Sequence, residues 1–286
     1  MLSPALNAPI ETLAGDAVGA LRYYVDRSGE GPPLLLVHSV NAAASSVEMA
    51  PLFDAFRTKR PVYALELPGF GQSSRDDRIY TPALYAQAIA AMAAAIPEGP
   101  PDIVALSLTG EFVARADREY ALSYRSLAMI SPTGFSARQP PGETFSRRME
   151  RVLGTPLLGR ALFSALVTAP SIKYFLGKAF VGETPDRLID YACETARQPG
   201  AQYAPFAFLS MRLFSKNVLT QYYAQLSRPT LILYDRDPNI GFERLPEFLD
   251  SGHDVVAERI SPTLGMPHWE CLEQTTSALE RFWQHR

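Results

Sequence analysis

Residues 102–115 read DIVALSLTGEFVAR, and this stretch decides the fold. After the opening aspartate the residues are apolar without alternation, which suits a strand buried on both faces; from Gly110 the pattern turns helical. Ser107 falls on the sharp turn between the two. A serine held there points its hydroxyl into the crevice beyond the strand's carboxyl end, and the positive end of the following helix faces any charge that develops on it. That is the geometry of a nucleophile elbow, with Ser107 as candidate nucleophile. The G-x-S-x-G form is altered, because Ala105 and Thr109 stand at the two glycine positions. Ala105 is small enough for such a turn, whereas Thr109 brings a branched side chain to a crowded place. A serine that merely caps a helix is the simpler alternative.

Outward from this turn the chain alternates. Apolar runs at 20–26, 34–38, 62–65, 103–106, 127–130, 231–234 and 255–260 read as strands. Helical patterns at 47–56, 81–96, 110–120, 218–226, 242–249 and 272–284 lie between them. Such alternation predicts an α/β fold, a mostly parallel sheet with helices on both faces. Residues 135–215 break the pattern. They carry helical stretches punctuated by Pro140, Pro141, Pro156, Pro170, Pro185, Pro199 and Pro205, and no convincing strand. This predicts an all-helical cap inserted into a core formed by residues 1–134 and 216–286. Apolar cap residues such as Leu162, Phe163, Tyr174 and Phe206 are expected to form its own core and its seam with the sheet; some of them lining an apolar cavity is compatible with that.

The chain has 286 residues, 47% hydrophobic and 20% charged, enough for a sizeable core without disulfide staples. Thirty acidic residues against 27 basic ones, with Lys and Arg scattered, argue against a nucleic-acid binder. Cys193 and Cys271 have neither disulfide-framework nor metal-ligand spacing, and no phosphate loop or haem motif is present, so no metal and no cofactor is expected. The longest weakly polar run, 83–96, is too short to span a bilayer, and the opening residues lack the basic head and apolar stretch of a secretory leader. No membrane span and a cytoplasmic location are expected. The oligomeric state leaves no mark on the sequence.

Four segments beyond the elbow extend the pattern. LLLVHSVNAAASS, residues 34–46, is similar to the strand and loop that supply one oxyanion-hole amide in the α/β-hydrolase superfamily, with His38-Ser39 where His-Gly is usual. ELPGFGQSS, residues 66–74, is similar to the D-x-P-G-x-G-x-S turn of that family, with Glu66 in place of Asp. RPTLILYDRDPN, residues 228–239, resembles the strand and loop carrying the triad acid, and MPHWE, residues 266–270, resembles the tail of the G-H-x-P-H-x-E loop. The resemblance covers nearly the whole chain. It implies an eight-stranded, mostly parallel sheet flanked by helices, with the helical cap inserted. It also implies Ser107 as the nucleophile of an acyl intermediate, the amides of Leu108 and of Ser39 or Val40 as oxyanion hole, and Asp237 as the acid, with Asp235 as fallback.

The histidine departs from the family pattern. When MPHWE is laid on G-H-x-P-H-x-E, the catalytic position falls on Gly265 and the preceding glycine on Leu264. His38 ends a strand, His253 precedes the last strand and His285 adjoins the C-terminus, so only His268 lies on the right loop. There the family has a supporting histidine. To act as base, His268 would have to make up three residues, about 4.5 Å along a helix or up to about 10 Å extended, against a hydrogen-bond window of about 2.6–3.2 Å. The loop would have to be rebuilt, and a positive φ at Gly265 would permit it. Glu111 and Glu48 are alternates, since a carboxylate raised in pKa by burial can act as a base; an ion-paired helix residue is the plainer reading of each.

These features describe a serine hydrolase acting on a small or medium apolar ester, thioester or related carbonyl compound through an acyl-enzyme at Ser107, with His268 as base. The alternative is a catalytically retired relative that binds an apolar ligand or partner, or a lyase or carbon–carbon bond hydrolase on the same fold. The histidine decides between them, because removing it from a serine hydrolase costs about a millionfold in turnover.

Overall fold

The run LLLV at 34–37 has no polar face to offer solvent, and all four residues are buried in a central strand. The computed structural model describes residues 2–15, 17–250, 252 and 254–284. Within it that strand is one of eight: β1 Ile10–Leu13, β2 Leu21–Asp26, β3 Leu34–Val37, β4 Val62–Glu66, β5 Asp102–Leu106, β6 Ser126–Ile130, β7 Thr230–Tyr234 and β8 Val255–Arg259. They form one sheet in the order β1-β2-β4-β3-β5-β6-β7-β8. β2 pairs antiparallel with β1 and with β4, and every other pairing is parallel. The mostly parallel α/β sheet expected from the sequence is present. β1 is the strand that no apolar run announces: IETL is an edge segment, half-buried and bonded on one side only.

The helices are α1 Ala50–Phe56, α2 Pro82–Ala95, α3 Thr109–Tyr120, α4 Glu143–Leu153, α5 Pro156–Leu166, α6 Ala169–Gly177, α7 Asp186–Ala196, α8 Tyr203–Leu209, α9 Val218–Gln221, α10 Leu245–Leu249, α11 Pro267–Glu270 and α12 Leu272–Gln284. α2 and α3 cover one face of the sheet, with Tyr85 stacked on Phe112 at 5.0 Å between ring centroids. α1 and α12 cover the other through Phe53, Phe56, Leu279 and Phe282. The start of α2 shows how the local sequence sets an element. Thr81 Oγ1 accepts the Leu84 amide at 3.1 Å, and Pro82 occupies the first turn, where no amide is required.

Between β6 and β7 the described residues form only helices, α4 to α9. Pro156 and Pro170 each stand in the first turn of a helix, so these prolines start elements instead of breaking them. Phe163, Val167, Ile172, Ile189 and Ala192 give this insertion a small apolar cluster of its own, separate from the two that sandwich the sheet.

Candidate active site

The turn after β5 forms despite its altered glycines. Ser107 adopts φ 59°, a left-handed conformation that costs a non-glycine residue about 1–3 kcal/mol and persists only where the surroundings enforce it. The enforcement comes from both sides. Ser107 N–H donates to Ile130 O at 2.8 Å, and Gly110 N–H donates to Ser107 O at 3.2 Å as α3 begins. Thr109 does not crowd the turn: it is fully buried, and its hydroxyl donates to Leu106 O at 2.9 Å. A Cβ at Gly110 would lie 2.8 Å from Met129 Sδ, so glycine there lets α3 start close against β6.

The amides that the resemblance assigns to the oxyanion hole differ in whether they are already bonded. Among the described residues, the N–H groups of Leu108 and Val40 make no hydrogen bond, although the two residues are only 1% and 3% exposed. Buried orphan amides are rare, because each forgoes about 1–3 kcal/mol. Val37 and Ala105 are paired neighbours in β3 and β5, and Val40 and Leu108 stand on the segments that leave the carboxyl ends of those two strands. An oxyanion hole needs two such donors. Ser39, the other expected donor, is already engaged. Its N–H donates to Glu48 Oε2 at 2.8 Å, while Asn41 Nδ2 donates to Glu48 Oε1 at 2.8 Å and to Ser39 Oγ at 2.9 Å. Glu48 therefore braces the loop and is not placed as a base; desolvation raises its carboxyl pKa against these lowering bonds. Neither this brace nor Asn41 is signalled by a motif.

Asp237, the acid expected from the resemblance, lies on the loop after β7 and faces Gly265. Asp237 Oδ1 accepts the amides of Asn239 and Ile240 at 2.7 and 2.9 Å. Burial raises its pKa, and those two bonds oppose the rise. The other oxygen lies against Gly265: a Cβ built there would stand 2.8 Å from Asp237 Oδ2 and 3.4 Å from Ala179 Cβ. Neither described histidine hydrogen-bonds Asp237. Gly265 is not among the residues with positive φ, so the loop is not rebuilt in the way the sequence allowed.

The structure does not bring His268 to Ser107. The ring is fully buried, Nε2–H donates to Glu48 O at 2.7 Å, and Nδ1 has no hydrogen-bond partner among the described residues. Trp269 Nε1 donates to the same carbonyl at 2.7 Å, so α11 is pinned to the helical turn Ser46–Met49. Burial lowers the His268 pKa to about 4, against the raising effect of its bond to Glu48. Pro267 is the reason for its placement, since it starts a short helix that carries the next side chain inward. His38 is also structural, with Nδ1–H donating to Ser39 O at 2.6 Å and Nε2 accepting the Leu67 amide at 3.1 Å. His253 and His285 lie outside the described residues.

The remaining carboxylates also have other occupations. Asp235 accepts Arg259 Nε at 2.7 Å and the Thr263 amide at 2.9 Å, which fastens the segment between β8 and α11 and leaves it no part as a fallback acid. Glu111 accepts the Thr133 hydroxyl and, at 2.8 Å, the Ser215 amide, tying the root of the helical insertion to α3. Its pKa is pushed up to about 7 by burial, yet its oxygens are spent on these bonds and not on Ser107. A cavity of about 210 Å³ opens beside it, lined also by Thr133, Gly134, Phe214, Asn239 and Ile240. Among the described residues no three His, Cys, Asp or Glu side chains gather as a metal site, and no helix is long and apolar enough to cross a membrane.

Residues 12–269 match the Alpha/beta hydrolase family. The chain belongs to that family. No protein of curated function matches the sequence. Many solved structures share the fold, among them a serine hydrolase involved in carbazole degradation, the CarC enzyme. It has a TM-score of 0.76 and 17% identity over 97% of this chain and 100% of that one. A thermophilic esterase from Thermogutta terrifontis gives a TM-score of 0.72 at 18% identity, covering 97% of this chain and 99% of that one. The enol-lactonase from Burkholderia xenovorans gives 0.70 at 14% identity, covering 93% and 96%. In this alpha/beta hydrolase Ser107 sits on the turn after β5, the amides of Leu108 and Val40 make no hydrogen bond among the described residues, and neither described histidine hydrogen-bonds Asp237 or Ser107.

Proposed function

We propose that this alpha/beta hydrolase is a serine acyl hydrolase without a histidine base, acting on small or medium apolar acyl compounds whose leaving group departs readily. One observation carries the reading: Ser107 is held in a strained turn, and the amides of Leu108, which follows it, and of Val40, on the loop after the neighbouring strand β3, make no hydrogen bond among the described residues. Attack joins Ser107 Oγ to the acyl carbon, and the two amides hold the resulting oxyanion, each contributing about 3–4 kcal/mol. The bond to the leaving group then breaks, and the serine proton leaves with the departing oxygen or sulfur. Water cleaves the acyl-enzyme in a second, slower step. Without triad members such sites keep about 10³–10⁴-fold catalysis over water, which serves phenyl esters, enol esters and thioesters far better than alkyl esters or amides. The esterase and the enol-lactonase that share the fold support the acyl class.

The test is covalent. Incubation with a fluorophosphonate or p-nitrophenyl acetate, followed by intact mass and peptide mapping, is expected to show slow labelling at Ser107 alone and none in Ser107→Ala. A folded wild-type protein that takes no label over hours would overturn the reading. A second reading, a retired enzyme that binds an apolar ligand, draws on the absent imidazole at Gly265. Thermal stabilisation by an apolar compound together with no labelling would favour it.

A further inference from the structure

Helices α5 and α6 bury one side and leave the other bare. Phe163 of α5, Val167 just beyond its end and Ile172 of α6 pack into the insertion's cluster with α7. Away from it, Leu157, Leu158 and Leu162 are 85%, 47% and 44% exposed, and Tyr174 and Phe175 are 61% and 52% exposed. Spacings of four residues put Leu157 with Ala161 on one stripe of α5 and Leu158 with Leu162 on the adjoining one. Single exposed apolar residues are ordinary; five large ones on two consecutive helices are the mark of an interaction surface.

Charge selects the partner. The 32 residues between Glu150 and Glu183 contain four basic residues, Arg151, Arg160, Lys173 and Lys178, and no acidic one, in a chain of net charge −3 with 30 acids in 286 residues. The cations are not a separate patch. Lys178 Nζ lies 4.5 Å from the Tyr174 ring centroid and 5.4 Å from that of Phe175, so a charge sits among the exposed rings. A second copy docking through the same face would set cations against cations, which disfavours self-association. Apolar side chains interspersed with Lys, Arg and aromatic rings fit a surface that is apolar within and anionic at its rim.

We propose that the outer face of α5 and α6 docks on an anionic lipid bilayer. Leu157, Leu162 and Phe175 enter the boundary between headgroups and acyl chains, while Lys173 and Lys178 meet the lipid phosphates. Ala179, two residues beyond the end of α6, lies 3.4 Å from where a Cβ at Gly265 would stand, so the chain that leaves the docked face passes the candidate active site.

The experiment is co-sedimentation of the full chain with vesicles of phosphatidylcholine alone or with about a third phosphatidylglycerol, at about 0.05 M and about 0.5 M NaCl. The wild-type protein is expected to sediment with the mixed vesicles at low salt and about tenfold less with pure phosphatidylcholine or at high salt. L157D/F175D is expected to lose about tenfold or more of that binding with an unchanged melting temperature, since both side chains are already exposed; K173E/K178E should lose the preference for anionic vesicles. Wild-type protein that stays in the supernatant with both vesicles would overturn the proposal, as would equal binding by L157D/F175D. So would light scattering that shows an oligomer dissolved by that double substitution, which would make the face a contact between copies.

Discussion

A Gly265→His substitution would return an imidazole to the position that Asp237 faces. The new Cβ would stand 2.8 Å from Asp237 Oδ2, short of ordinary contact near 3.5 Å, so the carboxylate must retreat by about 0.7 Å. It has room to do so, because the two amide bonds fall on Oδ1 and no hydrogen bond among the described residues holds Oδ2. A small rotation of the carboxylate costs about 1 kcal/mol or less. Ala179 Cβ, at 3.4 Å, is at the edge of normal contact and gives little resistance. General-base catalysis contributes about 10²–10⁴-fold, or about 3–5 kcal/mol of barrier. An imidazole added without evolved support should recover the lower end, about a hundredfold in kcat/KM on p-nitrophenyl acetate. Gly265→Ala makes the same contact without a base and should gain nothing. G265H/D237N should lose most of the gain, G265H/S107A all of it, and the gained rate should titrate near the ordinary histidine pKa of about 6.5. A folded G265H protein no faster than G265A, or one whose gain survives in S107A, would refute the assignment of Asp237, Gly265 and Ser107 to one site.

Two further outcomes follow from the bracing around the site. Glu48→Ala leaves the Ser39 amide and Asn41 Nδ2 without their acceptor, and urea unfolding should show a loss of about 2–4 kcal/mol together with slower labelling of Ser107. Unchanged stability would show that the brace carries no strength. His268 is held below its ordinary pKa, at about 4, by burial. The stability gained by keeping that ring neutral is fully present above about pH 6.5 and is lost as pH falls towards 4, because the unfolded chain takes up the proton first; the window is worth about 3 kcal/mol. His268→Gln retains an N–H for Glu48 O and removes the titration. The advantage of wild type over the variant should therefore shrink by about 3 kcal/mol between about pH 7 and about pH 4, and a constant difference would refute the burial argument.

The sheet is legible in the sequence because strands buried on both faces must be apolar throughout, and LLLV and the run inside DIVALS can be little else. β1 escapes because an edge strand with one bonded side needs no such run. Ser107 is legible as a residue on a strand-to-helix turn, but whether Thr109 crowds that turn depends on where its hydroxyl bonds, which residue type alone does not specify. Which loop amide stays free is less legible still. Ser39 and Val40 are adjacent and equally small in backbone terms; a carboxylate nine residues on, Glu48, removes Ser39 from the choice. Sequence spacing states how far His268 is from the catalytic position and not which way it turns, and that direction is set by the helix that Pro267 begins.

The features present at the site differ from the missing one in what they cost the fold. The strain at Ser107 and the two orphan amides withhold, at about 1–3 kcal/mol each, a substantial part of a net stability of about 5–15 kcal/mol. The turn is enforced by the Ile130 carbonyl and the start of α3, and glycine at 107 would hold the same φ without strain. Gly265 is the reverse case, since Asp237 and Ala179 already fill the space a side chain would claim and no void is left behind. A fold that has only stability to satisfy would shed the costly serine geometry and keep whatever residue packs best at 265. The described residues hold the costly elements and set no histidine against Asp237, which is the pattern expected if Ser107 and its amides meet a carbonyl group as proposed.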